Sequence, residues 1–447
     1  MTSRWATKPR RPAALALVTA LGLALVTVLA GCGGGASSSA APTTASTEAD
    51  VRLPAEPGLV KVMSRWFDGD ESDALLALRH VLDHRYLARV AYKNMDGSGT
   101  WDQWVDPSRG LDALSTPVGR GGADDVALGR VQDVSGLYDD LGLAAVWPEG
   151  LYGQLALDGT LYALPCVVVR TNLLWSNPGV LADAGLDPDA TYATVADWIA
   201  ALHTLDDAGA QAIVVGAPWT QLLLLENLLV AEAGPRAARD LWDGRGDWGS
   251  STVAKAIEDL DEILALANED RDGLTETDLG RRVGAGKAAF TVMGGWLTEV
   301  LDERHRVAGV DYRVGVVPGT EGSFGFTADA FGWGATSAQP DLARAWLENA
   351  SSSPGQAAVA GAMSKGVPVR TDADPTGLTA LQRSTMADWR DDELVLSTAG
   401  GGPLTPEADL ALLDEVAAFG DGKIGASALV AALVRASAPA ASDVGGS

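Results

Sequence analysis

The stretch RRVGAGKAAFTVMGGW, residues 281–296, shows most directly how the middle of this chain folds. The glycines at 284–286 are typical of a helix end, and the apolar run 288–293 is typical of a short buried strand. The glycine pair at 294–295 ends that strand and permits a sharp turn or a close approach by another group. Trp296 therefore stands at the mouth of a strand, a common position for ligand binding in α/β sheets. From this pattern alone, the indole is either a ligand platform or a core residue.

Short apolar runs alternate with amphipathic stretches on both sides of this segment. A strand is predicted at 60–63, and a helix follows it at 72–84 with apolar residues on one face. Thr194 is placed to cap a helix over 195–205. Two short strands are predicted within 325–334. Strands that alternate with helices in this way predict an α/β protein.

The composition fits a globular protein and excludes one class of partner. The chain has 447 residues, of which 47% are hydrophobic, so two or three domains are expected. The formal net charge is −26, and no basic stretch could follow a phosphate backbone. Nucleic acid is therefore not an expected partner.

Residues 1–32 have the pattern of a bacterial lipoprotein signal peptide. A basic start is followed by an uncharged apolar stretch, 13–29, and by the box Leu-Ala-Gly-Cys, which ends at Cys32. The Cys32 thiol would then carry the lipid and hold the protein at the outer face of the cell membrane. A membrane-spanning anchor or a non-lipidated signal is the alternative. The arginine pair at 10–11 leaves both the general secretory and the twin-arginine routes open.

Two further segments lack the bulky apolar residues that a folded core requires. Residues 33–57 are rich in Gly, Ser, Ala and Thr, and we interpret them as a flexible tether. Residues 436–447 have a similar composition and predict a disordered tail.

No motif predicts a bound cofactor or a metal. Gly286 and Lys287 suggest a phosphate-binding loop, but Ala288 stands where that motif needs Ser or Thr. His80 and His84 are four residues apart on a predicted helix and could chelate a metal. No third ligand is evident, so we expect a solvated helix face.

Nor does the sequence predict catalysis. With four histidines in the chain, a Ser-His-Asp arrangement is poorly supported. Cys166 lies in an apolar run and is expected to be buried and inert. Glycosidases need two carboxylates that flank the scissile bond, and nothing in the sequence singles out such a pair.

Seven stretches, taken together and in order, resemble one protein family. They are SRWFDGDE at 64–71, RTNLLW at 170–175, GAPWTQ at 216–221, GKAAFTVMGGW at 286–296, VPGTEGSFGFTADAFG at 317–332, SKGVPVRTDADP at 364–375 and MADWR at 386–390. The family is the extracellular solute-binding protein of bacterial ABC importers, family 1, in its carbohydrate-uptake branch. The sequence is most similar to the glucose/mannose-binding lipoprotein type, over most of residues 59–435, and least similar over 85–135.

The resemblance implies a two-lobed, periplasmic-binding-protein-like α/β fold of type II, with the ligand cleft between lobes joined by a hinge. It implies an N-terminal lobe of residues 58–165 plus 315–356 and a C-terminal lobe of residues 166–314 plus 357–435. The chain would then cross between the lobes near residues 165, 316 and 355.

The resemblance also implies which residues bind a sugar. Indoles would cover the apolar faces of the ring, carboxylates and amides would accept hydrogen bonds from hydroxyls, and a lysine would donate one. The matching positions are Trp66, Phe67, Asp70, Glu71, Trp219, Gln221, Trp296, Asp329 and Lys365.

Four positions differ from the glucose-type pattern and argue against glucose itself as the ligand. Residues 115–117 replace a stretch with a histidine or another polar residue, Glu276 replaces a tryptophan, Val169 replaces a polar residue, and 397–399 replace a late histidine. Each lost hydroxyl partner would weaken binding by about 1–3 kcal/mol unless another group replaces it.

The sequence therefore predicts a lipid-anchored receptor that captures a mono- or oligosaccharide by lobe closure and delivers it to a membrane permease. The expected partners are the saccharide, the ABC permease subunits and the membrane, and a monomer without cofactor or enzymatic activity is expected. A binding-protein-like sensor or scaffold that has lost sugar import is the alternative hypothesis. A secreted carbohydrate-active enzyme is the third.

Overall fold

A computed structural model describes residues 58–66, 69–86, 89–94 and 110–438. The predicted signal peptide with Cys32, the predicted tether up to residue 57 and the predicted site residue Phe67 lie outside the described residues. The predicted tail lies outside them as well, except for residues 436–438, of which the first two belong to the last helix.

The secondary structure alternates as the sequence predicts. The strands are β1 (Leu59–Ser64), β2 (Arg89–Asn94), β3 (Ala113–Ser115), β4 (Val131–Gln132), β5 (Ala163–Arg170), β6 (Leu173–Ser176), β7 (Phe290–Val292), β8 (Arg313–Val316), β9 (Ser323–Gly334) and β10 (Glu393–Leu396). The helices are α1 (Gly69–Tyr86), α2 (Ala123–Ala127), α3 (Ser135–Asp140), α4 (Leu151–Leu155), α5 (Pro178–Asp183), α6 (Val195–Asp207), α7 (Pro218–Ala233), α8 (Pro235–Trp242), α9 (Ser251–Ala265), α10 (Glu276–Gly284), α11 (Leu297–Asp302), α12 (Pro340–Ser351), α13 (Ser353–Ala362), α14 (Ala380–Asp391), α15 (Pro406–Gly420) and α16 (Ala426–Ser437).

The larger sheet is built around one long strand. Within the described residues it has seven strands, in the order β10-β9-β3-β1-β2, and β4 and β5 also pair with β9. The prediction of two strands within 325–334 is wrong, because β9 runs unbroken through Gly325 and Gly332. A Cβ atom on Gly325 would lie 2.8 Å from Thr171 Oγ1, and one on Gly332 would lie 2.6 Å from Val131 Cγ1. These glycines therefore allow close packing against β9 and do not form turns.

A smaller sheet contains the strand predicted from the opening stretch. Its three strands among the described residues have the order β7-β6-β8. The strand β7 is shorter than the predicted run, but it is fully buried and ends before the glycine pair, as expected. Thr194 accepts a hydrogen bond from the Asp197 backbone N–H at 3.1 Å and so begins α6 as predicted.

Two large apolar clusters divide the protein into two lobes. The first includes core residues from Val60 to Val168 and from Phe324 to Leu396. The second includes core residues from Leu173 to Val317 and from Leu404 to Ala436. The chain passes between the clusters at residues 169–172, 318–323 and 397–403. We call these segments the three crossings.

The clusters and the predicted lobe boundaries differ most over residues 357–396, which the family resemblance assigns to the C-terminal lobe. Here these residues pack in the first cluster, because β10 pairs with β9 in parallel, with Leu394 opposite Phe324. Trp389 of α14 also lies edge to face with Phe324 and Phe326. We therefore propose that the lobes divide along the two clusters, with the third crossing at 397–403.

Candidate ligand-binding cleft

Two indoles lie side by side at the second-lobe edge of the cleft. Trp219 is in the first turn of α7, and Trp296 directly precedes α11. Their ring centroids are 6.1 Å apart at an interplanar angle of 46°, and both side chains are only partly buried against the second cluster. A partly exposed aromatic pair of this kind can stack on the apolar face of a ring.

The glycine pair before Trp296 has two different structural roles. A Cβ atom on Gly294 would lie 2.2 Å from the indole of Trp296, so only glycine lets the ring fold back over the turn. A Cβ atom on Gly295 would lie 2.8 Å from the carbonyl oxygen of Lys365. The close approach expected at this pair is therefore real, and it brings Trp296 next to the segment that carries Lys365.

Three predicted binding residues form a charged cluster in the first lobe. The Lys365 ammonium donates a hydrogen bond to the Glu71 carboxylate, with 2.5 Å between Nζ and Oε1. Lys365 also interacts electrostatically with Asp329, which lies on β9 opposite Val167. Burial lowers the pKa of Lys365, but Asp329 and Glu71 outweigh it and leave that pKa above its usual value. The Lys365 ammonium therefore remains charged.

Asp329 is the partly buried carboxylate of this cluster on β9. Its pKa is raised because burial disfavours the charged form, although Lys365 and a hydrogen bond from Trp66 act in the opposite direction. The Cys166 thiol donates to the Asp329 backbone carbonyl at 3.2 Å, and its burial raises the pKa of the thiol. The prediction that Cys166 is buried is confirmed.

Trp66 and Gln221 are deeply buried. Trp66 is 3% exposed in the first cluster and lies edge to face with Phe331 at 5.6 Å. Gln221 is fully buried in α7, and its amide donates to the Gly216 carbonyl at 3.3 Å. Both residues support neighbours of the cleft in this conformation: Trp66 supports Asp329, and Gln221 supports the loop before Trp219. Their direct contact with a ligand stays a prediction.

The predicted site residue Asp70 contacts a residue that the sequence motifs do not select. Its Oδ2 atom accepts hydrogen bonds from the backbone N–H and the hydroxyl of Ser364, at 3.1 and 3.3 Å. Its own backbone N–H donates to Oε1 of Glu299 at 3.3 Å. Glu299 lies on α11, three residues after Trp296, which is the helical spacing that places two side chains on the same face. That spacing is the only sequence signal for Glu299.

A cavity of about 300 Å3 lies beside Arg65. Both lobes contribute to its walls, which include Arg65, Asp125 and Arg130 on one side and Leu404 and Asp409 on the other. The guanidinium of Arg65 interacts electrostatically with Asp125 at the cavity and with Asp329 of the charged cluster. A larger cavity of about 720 Å3 lies between residues 153–159 and α8, and none of the predicted binding residues lines it.

The first two crossings are fixed by polar side chains of the RTN segment. Arg170 is 3% exposed and forms ion pairs with Asp388 and Asp392 of the first lobe. Asn172 donates to the Ser323 carbonyl and to the Thr320 hydroxyl, both at 3.0 Å. These bonds connect the crossing at 169–172 to the crossing at 318–323.

The third crossing is held by a buried carboxylate of α7. Glu226 accepts hydrogen bonds from the Ser397 hydroxyl at 2.6 Å and from the backbone N–H groups of Thr398 and Ala399 at 2.7 and 3.0 Å. Burial nevertheless raises the pKa of Glu226 to about 7, because the three donors only partly replace water. Residues 397–399 thus form a structural contact where the glucose-type pattern has a histidine.

Neither a metal site nor a membrane-spanning helix occurs among the described residues. In the part of the chain that the structure describes, no group of three or more His, Cys, Asp or Glu side chains could hold a metal ion. His80 and His84 lie 2.9 Å apart on an exposed face of α1. Over the same ranges, no helix combines the length and apolarity needed to cross a membrane.

Comparison with known proteins identifies the class to which this two-lobed fold belongs. A profile of the bacterial extracellular solute-binding protein family matches residues 92–357. An ABC transporter extracellular-binding protein of Pyrococcus horikoshii is 23% identical over 412 residues, which cover 90% of each chain. The xylose/arabinose-binding protein XacG of Haloferax volcanii is 29% identical over 289 residues, 61% of this chain and 60% of the relative.

A solved structure shows the same fold. The bacterial solute receptor AcbH, described as having an exclusive preference for β-D-galactopyranose, superposes with a TM-score of 0.68 at 14% identity. The match covers 86% of this chain and 98% of that receptor. This chain belongs to the bacterial extracellular solute-binding protein family, so the family and the two-lobed α/β fold implied by the sequence are confirmed. The family consists of substrate-binding receptors that act outside the cytoplasm.

Proposed function

We propose that this protein is a saccharide receptor of an ABC importer. A mono- or oligosaccharide binds between the lobes, the lobes close over it, and the closed form delivers it to permease subunits in the membrane. The receptor is a monomer, attached to the outer face of the cell membrane through lipidated Cys32, and it has no enzymatic activity.

One observation carries this proposal. The indoles of Trp219 and Trp296 lie in the second lobe, and the Gly295 contact brings them against the segment of Lys365, which pairs with Glu71 and lies near Asp329. Indoles cover the apolar face of a pyranose, while an ammonium and carboxylates bind its hydroxyls. Relatives named for binding xylose, arabinose or galactopyranose support the same class of ligand.

The direct test is a binding screen of the purified protein against mono- and oligosaccharides, read first by thermal shift and then by calorimetry. A sugar at about 100 times its Kd stabilises the folded state by about 2.7 kcal/mol. Glucose is expected to be a poor ligand, and pentoses, galactose and oligosaccharides are the informative candidates.

Trp296→Ala is the first variant to compare in that screen. Loss of the stacking surface is expected to weaken binding of any sugar that stabilises the wild type by about tenfold or more. Trp333→Ala is the matched control, because Trp333 is also a partly buried indole but packs against the first cluster. It should bind as the wild type does.

Two results would reject the import proposal in favour of its rivals. Failure of every sugar to stabilise the folded wild type would favour a sensor or scaffold, and conversion of a sugar to product would favour an enzyme. Equal affinity of the Trp296→Ala variant and the wild type would reject the indole platform.

A further inference from the structure

The two lobes touch where the Glu299 carboxyl group packs against the backbone of the first turn of α1, beside Asp70. Glu299 of α11 belongs to the second lobe, and Asp70 belongs to the first turn of α1 in the first lobe. Oε1 of Glu299 accepts a hydrogen bond from the Asp70 backbone N–H at 3.3 Å. A Cβ atom on Gly69 would lie 2.4 Å from the same oxygen, so the Glu299 carboxyl group is packed directly against the start of α1.

One carboxylate oxygen of Asp70 has no hydrogen-bond donor. Its Oδ2 atom accepts two hydrogen bonds from Ser364, whereas its Oδ1 atom is buried and accepts none. The neighbouring Glu299 carboxyl can donate to Asp70 only when it carries a proton, because an ionised carboxylate has no donor. One proton on the Glu299 carboxyl would therefore provide the donor that the buried Asp70 oxygen lacks.

We infer that the cleft contains a proton-binding site shared by Asp70 and Glu299, which is formed when the lobes touch and lost when they separate. The site couples closure of the cleft to the uptake of one proton from solvent. It requires no bound saccharide, so it stands or falls independently of the function proposed above.

The charges around Glu299 agree with this geometry. Its pKa is raised to about 7, first because burial disfavours its ionised form and second because it faces Asp70. Lys365, from the segment that also carries Ser364, acts in the opposite direction, and it is itself paired with Glu71 of α1. Asp302 at the end of α11 and Glu303 directly after it follow Glu299, and these two carboxylates add no compensating positive charge.

The sign of the effect follows from linkage. In the separated lobes, Glu299 returns to water and to its ordinary pKa of 4.5, whereas in the touching lobes its pKa is about 7. The touching form binds the proton more tightly, so it is favoured at low pH and loses that advantage as the pH rises through 7. Between these two values, the ratio of closed to open protein should fall by about tenfold for each pH unit.

Carboxyl NMR tests the site directly in the unliganded protein. With glutamate labelled at the side-chain carboxyl carbon, the Glu299 signal is assigned as the one missing from the Glu299→Gln variant. We expect it to titrate near pH 7 in the wild type and closer to 4.5 in Asp70→Asn, which lacks the facing charge. A wild-type midpoint near 4.5, or a midpoint that Asp70→Asn leaves unchanged, would overturn the inference.

Small-angle X-ray scattering tests the coupling to closure. The unliganded wild type should have a larger radius of gyration at about pH 8.5 than at about pH 5, since the protonated pair favours the touching lobes. Glu299→Gln carries an amide donor at every pH and should keep the smaller radius at both. Asp302→Asn is the matched control on the same helix and should behave as the wild type. Equal radii in the wild type, or a pH response that persists in Glu299→Gln, would overturn the coupling.

Discussion

Buried or partly buried carboxylates occur both at the hinge, formed by the three crossings, and at the contact between Asp70 and Glu299, which we call the cleft contact. Their surroundings differ. At the hinge, Glu226 faces three donors, and Asp392 faces the guanidinium of Arg170. At the cleft contact, Asp70 and Glu299 face each other, and one oxygen of Asp70 has no donor. The comparison separates two uses of the same chemistry. Carboxylates that face hydrogen-bond donors or a guanidinium hold the crossings, whereas we infer that two carboxyl groups facing each other make a contact that can open.

The largest expected effect comes from removing the central cation of the hinge. Arg170→Ala would leave the Asp392 carboxylate without its guanidinium partner and would remove one of the two donors to the Ser323 carbonyl, in a region that is largely closed to water. Because a broken buried ion pair leaves uncompensated charge, we expect the free energy of unfolding to fall by about 3–5 kcal/mol, measured by urea denaturation.

Arg236→Ala provides the control for that measurement. Arg236 also pairs with a carboxylate, that of Glu393, but its side chain is 85% exposed. Exposed ion pairs contribute about 0–1 kcal/mol, so this variant should remain close to the wild type. If Arg170→Ala were no more destabilising than Arg236→Ala, the hinge would not depend on compensated charge.

The second prediction concerns the pH dependence of the third crossing. The pKa of Glu226 is about 7 in the folded protein, against an ordinary value of 4.5. The folded state therefore binds the proton more tightly than the unfolded state. The stability that this group contributes is fully present below pH 4.5 and is lost as the pH rises through 7.

Glu226→Gln isolates this contribution, because it removes the titrating group while preserving its size. The difference in unfolding free energy between wild type and variant should change by roughly 3 kcal/mol between about pH 4.5 and 7.5. A difference that stays constant with pH would show that the donors from Ser397, Thr398 and Ala399 fully compensate the charge.

The hinge and the cleft contact also differ in how far the sequence could predict them. The motifs indicated the family and the two-lobed fold, and they selected Trp296, Glu71 and Lys365, which the structure brings to one cleft. Glu299 was missed because its role depends on an opposing lobe that local pattern does not contain. The third crossing that we propose at 397–403 lies later than the one the resemblance implies, because the pairing of β10 with β9 joins segments far apart in sequence.

Glycines show the same limit on a smaller scale. The sequence predicts two strands within 325–334, yet Gly325 and Gly332 lie inside the single strand β9, where they admit side chains from neighbouring segments. At Gly294 and Gly295 the sequence predicts a sharp turn or a close approach, and the contacts of the Trp296 indole and of the Lys365 carbonyl agree with that prediction. Tertiary contacts therefore decide whether the absence of a Cβ atom at a glycine permits a turn or the close packing of a neighbouring side chain.

The smallest expected effect tests the close approach that brings Trp296 to the cleft. In Gly295→Ala the new Cβ atom would lie 2.8 Å from the Lys365 carbonyl oxygen, so the two segments must separate. Overpacking of this kind should lower the free energy of unfolding by about 1–2 kcal/mol. Gly315→Ala is the control, because a Cβ atom added at this position on β8 would have no neighbouring atom within 4 Å. If both variants lost the same stability, the approach of the Trp296 segment to Lys365 would not depend on the absence of a Cβ atom at Gly295. The two segments could then move apart at little cost in free energy.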